Sequence, residues 1–86
     1  MLTTRITFAL SDWIREWIKE RNEAPSIENC IKYVEWKLDK YVLTESDKVK
    51  IETILLYETL GWILALTVKE VIKVSHYYSN FWYENF

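Results

Sequence analysis

The sequence predicts a mainly α domain in which one short N-terminal strand precedes two short helices and a long third one. Three observations carry that expectation. An alternating segment opens the chain, and two capped segments of helical period follow it. A single Gly and a single Pro among 86 residues leave little material for further strands and turns.

The alternating segment is Thr3-Thr4-Arg5-Ile6-Thr7-Phe8-Ala9-Leu10, in which Ile6, Phe8 and Leu10 share one side and Arg5, Thr7 and Ala9 the other. A period of two with β-branched residues reads as a half-buried strand. An isolated strand leaves its backbone groups unpaired, so the same strand of a second chain is the economical partner. Ser11 and Asp12 are placed to cap a first helix, whose apolar stripe is Trp13, Ile14, Trp17 and Ile18. The stripe ends near Arg21, and Asn22-Glu23-Ala24-Pro25 reads as a turn, because proline disfavours a helical residue before it. Ser26 caps the second helix, where Ile27, Cys30, Ile31, Val34 and Leu38 recur at helical spacing and carry it to about Tyr41.

Thr44 opens the last element, with Asp47 three residues on in the manner of a capping box. From Val49 to Val74 the pattern is helical, and after Leu60 it is apolar on nearly every face. A helix of that kind is buried centrally or between subunits. Gly61 lies inside it, so one long helix is expected, with a break at Gly61 as the alternative. The tail from His76 to Phe86 is aromatic and has no clean period.

Composition narrows the function. The chain is one domain, residues 1–86, and too short to bury a large core alone. Its 11 basic and 13 acidic side chains give a net charge of −2, which does not point to nucleic acid as a strong basic excess would. The excess acid lies in residues 44–86, so a nucleic-acid surface belongs to the first half. Cys30 is the only cysteine, which excludes an intrachain disulfide and fits a cytoplasmic setting. The most apolar stretch, Ile54 to Val68, falls short of the ~20 residues that cross a bilayer and contains Glu58, so no membrane span is expected. His76 has no second ligand at metal spacing, and no glycine-rich loop or nucleophile–base pair is visible. The chain therefore reads as a non-enzyme without cofactor or metal.

Strand, capped helix, turn and capped helix, carried by Arg5 to Ile14 and by Pro25-Ser26 with Cys30, Ile31, Val34 and Leu38, resemble the ribbon-helix-helix family, the class of the Arc, MetJ and CopG repressors. The likeness covers residues 3–41, with Glu23-Ala24-Pro25 where the family has a glycine. It implies a ribbon-helix-helix homodimer, extended here by the helical region 44–86. In that family a two-stranded ribbon enters the major groove of double-stranded DNA. By position, the resemblance assigns base reading to Thr3, Arg5, Thr7 and Ala9, and phosphate anchoring to Ser26, Ile27 and Glu28. Glu28 is an awkward neighbour for a phosphate. The implied function is a transcriptional repressor, or a plasmid or virus accessory regulator acting in the host cytoplasm.

The alternative is a small helical protein-interaction module: an antitoxin, an immunity protein or a phage-encoded inhibitor. Its partner-binding surface would comprise Trp62 and the aromatic tail Tyr77, Tyr78, Phe81, Trp82, Tyr83 and Phe86.

Overall fold

The computed structural model describes residues 2–39 and 42–85, with side chains through Lys73. Three helices account for its regular structure: α1 (Thr4–Arg21), α2 (Ile27–Lys37) and α3 (Glu45–Asn85). Among the described residues there is no strand. The expected N-terminal strand, and with it the ribbon-helix-helix dimer, is therefore corrected: residues 4–10 are the first two turns of α1.

The physical reason lies in a coincidence of spacings. Ile6 and Leu10 have the same parity, as a strand requires, but they are also four apart, as one helix face requires. Leu2, Leu10, Ile14 and Ile18 are buried along that i, i+4 row, with Ile6 packed beside them. Phe8 is the residue that separates the two patterns, and it is 64% exposed. The helix also begins earlier than Ser11. Thr3 is extended at its N-cap, and its Oγ1 accepts from the Ile6 N–H at 3.2 Å. At the other end Asn22 adopts the left-handed conformation, φ 53°, and donates its N–H to the Ile18 carbonyl at 2.7 Å. The turn expected at 22–25 is thus present, with Pro25 buried.

Ser26 caps α2 as expected, accepting from the Asn29 N–H at 3.2 Å. Cys30 and Val34 are fully buried, while Ile27, Ile31 and Leu38 pack around them. The helix ends at Lys37, short of the expected end near Tyr41, which lies outside the described residues. The capping box at Thr44 and Asp47 is formed in both directions. The Asp47 N–H donates to Thr44 Oγ1 at 3.1 Å, and the Thr44 N–H donates to Asp47 Oδ2 at 3.2 Å.

The Thr44 backbone N–H, first among the groups that favour the charged form, holds the Asp47 carboxyl below its ordinary value of 3.8. A depressed folded-state pKa contributes stability above the unfolded value and loses it as pH falls through the folded one. The wild type should therefore lose stability more steeply than Asp47→Asn as pH falls below about 4, the usual value of a free aspartate. Urea midpoints across that range check this, and equal slopes would remove Asp47 from the acid response.

α1 and α2 pack against each other and against the first part of α3, forming a three-helix head whose core is Leu2, Leu10, Ile14, Ile18, Cys30, Val34, Leu43 and Ile51. At 1.5 Å per residue, the 41 residues of α3 span about 60 Å, and the molecule measures 67 × 22 × 19 Å. α3 runs without interruption through Gly61, so the long-helix expectation holds over the break. A Cβ at Gly61 would meet nothing within 4 Å. Gly61→Ala should therefore stabilise the chain by roughly 0.5–1 kcal/mol through lower backbone entropy in the unfolded state. Urea unfolding measures it, and a destabilised variant would contradict the open space around that position.

Candidate protein-interaction surface

The head holds α3 by one of its faces. Ile51 is fully buried, and Ile54, Leu55 and Trp62 pack partly buried against the core. Glu58, on the same face, is gripped by Arg15 of α1. Arg15 Nε donates to Glu58 Oε2 at 2.9 Å and its second nitrogen to Oε1 at 3.2 Å, while Asp12 lies 3.3 Å from the third nitrogen. The Glu58 side chain is 12% exposed and that of Arg15 59%. The hydrogen bond and charge of Glu58 raise the Arg15 pKa. An ion pair this open to water is worth less than about 1 kcal/mol, so its service is to set the angle between α1 and α3. Beside it lies an open groove of about 430 Å³ whose walls include Ile18, Lys19, Trp62, Leu66 and Lys69.

α3 also carries apolar side chains that nothing among the described residues covers. Tyr57 is 75% exposed, Leu64 63%, Val71 61%, and Leu56, Leu60, Ile63, Val68 and Ile72 are also exposed. A folded chain buries such residues in its own core or against something else. By length and composition the Glu45–Lys73 part of α3 also meets the criteria for a membrane-crossing helix, which the sequence reading did not expect.

A second aromatic surface joins α1 to α2. Trp13 stacks on Tyr33 with ring centres 4.7 Å apart, Trp17 lies 5.2 Å from Trp13, and Trp36 lies 6.0 Å from Tyr33. Arg21 sits 3.7 Å over Trp17 and Lys37 4.9 Å over Trp36. Ile14 and Ile18 occupy the middle of the head, and the two tryptophans flank them, half-buried. The Trp17 Nε1–H is enclosed and has no acceptor among the described residues. The Tyr33 hydroxyl donates to the Ala9 carbonyl at 3.4 Å.

The residues assigned to base reading do not form one face. Thr3 is the α1 cap, and at 100° per residue Thr7 points nearly opposite to Arg5 and Ala9. Thr7 Oγ1 donates to the Thr3 carbonyl at 3.1 Å, and only Thr3 and Arg5 of the four are exposed. Ser26, Ile27 and Glu28 do stand together at the start of α2, where Ser26 Oγ is engaged as the cap and Ile27 packs on the core. Trp62 is half-buried against the head instead of free. The side chains of Tyr77, Tyr78, Phe81, Trp82, Tyr83 and Phe86 lie outside the described residues.

The exposed apolar positions from Leu56 to Ile72 are not among the candidate residues the sequence suggests, although the all-round apolar pattern after Leu60 marks the segment. Cys30 is enclosed, and burial pushes its thiol up to about 11. It should react with thiol reagents only when the head opens, which makes its labelling rate a gauge of head integrity. Fast labelling under native conditions would contradict the packing described. No family model, curated protein or solved structure matches this chain.

Proposed function

We propose that this chain is a helical protein-interaction module, the head serving as a brace that presents α3 to a protein partner. The observation that carries the reading is the exposed apolar run of α3, from Leu56 to Ile72, on a helix fixed at one end by a packed core. Contiguous apolar surface of this kind marks an interface. The duplex-DNA reading rested on a two-stranded ribbon, and α1 stands in the ribbon's place. The fold therefore favours the protein-binding alternative.

Site-specific photo-cross-linking in cells tests it. A benzophenone amino acid placed at Leu64, on the exposed side of α3, should give discrete protein adducts, and the same group at Glu16 on α1 should not. Lipid adducts alone, or no adducts at either position, would overturn the reading.

A further inference from the structure

We propose that the partner is a second copy of this chain, paired along α3 as a two-helix coil. The inference rests on the protein-binding reading above and names its occupant.

The first support is where the head is not. Ile51, Ile54, Leu55, Glu58 and Trp62, which meet the head, cluster in one direction when successive residues are turned by 100°. Tyr57, Leu60, Leu64, Thr67 and Val71 cluster in the opposite direction, and all five are exposed. The head leaves Leu60, Leu64, Thr67 and Val71 clear, while Tyr57, at the edge nearest α1, shares a pocket with Thr7, Phe8, Ser11 and Arg15.

The second support is the spacing. These five follow one another at intervals of three, four, three and four, the 3.5-residue period by which one helix supercoils about another. In the sequence, Val74, Tyr78 and Phe81 continue the same register, so the repeat runs from Tyr57 to Phe81. That is about three and a half heptads, interrupted on the seam only by the small polar Thr67. An identical seam on each chain is self-complementary and closes as a two-fold dimer.

The third support is charge. From Tyr57 to Lys73 the charged residues are Glu58, Lys69, Glu70 and Lys73; Glu58, Lys69 and Lys73 turn toward the head, Glu70 lies to one side, and the seam carries none.

The fourth support is area. The chain exposes 6891 Å², whereas a compact monomer of 10.5 kDa exposes about 5,400 Å². The surplus exceeds the ~800 Å² that each partner contributes to a standard interface.

Sedimentation equilibrium of the full chain at tens of micromolar tests the proposal. The expected mass is twice the 10.5 kDa of one chain. The double variant Leu60→Glu, Leu64→Glu should fall to one chain mass while Cys30 keeps its slow labelling, which shows that the head is still folded. Lys73→Glu, on the other side of α3, should stay dimeric. A wild type of single-chain mass, or a dimer unaffected by the two seam substitutions, would overturn it. A single-chain protein that still yields discrete protein adducts from position 64 would overturn the second copy and leave the protein-binding reading standing. A single-chain protein that instead binds phosphatidylcholine vesicles through α3 would overturn both.

Discussion

Replacing Ile14 with alanine is expected to destabilise the head by roughly 2–5 kcal/mol, the range for a fully buried aliphatic truncated to a methyl. Ile14 has no exposed surface and lies in one cluster with Leu10, Ile18, Cys30, Val34 and Ile51, contributed by all three helices. The loss therefore includes both the transfer of its side chain and a cavity that three elements would have to move together to fill. A chain of 86 residues has a total stability of order 4–13 kcal/mol, so the variant approaches unfolding. Urea denaturation followed by circular dichroism gives the magnitude, and Cys30 labelling should accelerate in step.

The informative companion is Phe8→Ala. On α1 Phe8 is mostly exposed, so its loss should cost under about 0.5 kcal/mol. On a strand with Ile6 and Leu10 it would be core and would cost several times more. A large Phe8 effect beside a small Ile14 effect would reverse the assignment of residues 4–10.

The second large effect is a stability that depends on concentration. If the folded state is a dimer and the unfolded state is not, mass action favours folding as concentration rises, by up to about 1.4 kcal/mol for each tenfold increase. For a domain this small, 1 kcal/mol moves the thermal midpoint by about 4–8 °C. A hundredfold concentration series should raise the wild-type midpoint by several degrees. Leu64→Glu should flatten the series, because it places a charge on the seam, where pairing would have to desolvate it. A flat wild-type series would show that folding of the head gains nothing from association.

Much of the fold can be read locally in the sequence. Ser26 before the Ile27, Cys30, Ile31, Val34 row, Pro25 at the turn, and Thr44 with Asp47 are cap and turn signals whose chemistry acts within four residues, and each holds in the structure. The failure at residues 4–10 is also physical. A short segment cannot separate a period of two from an i, i+4 row when its apolar residues satisfy both, and the deciding fact is whether Phe8 faces inward. That depends on where α2 and α3 lie, which only the assembled head determines. A strand at 4–10 would imply both the family resemblance and a DNA surface, so the facing of Phe8 alone carries several consequences.

The interaction surface was legible as a segment and not as a face. Apolar residues after Leu60 surround the helix, and the sequence alone does not show which of them the head will cover. Once Trp62 and Glu58 are seen to turn toward α1, the face bearing Tyr57, Leu60 and Leu64 is the one left open.

Hydrogen–deuterium exchange of the full chain at several concentrations addresses the central claim most directly, that α3 beyond the head is a continuous helix whose outer face is covered by a second copy. Amides of α1 and α2 should exchange slowly at every concentration. Protection across residues 57–71 should rise with concentration as the seam is covered. Rates in 57–71 that stay fast and unchanged from dilute to concentrated protein would contradict the account, leaving α3 a helix without a partner of its own kind.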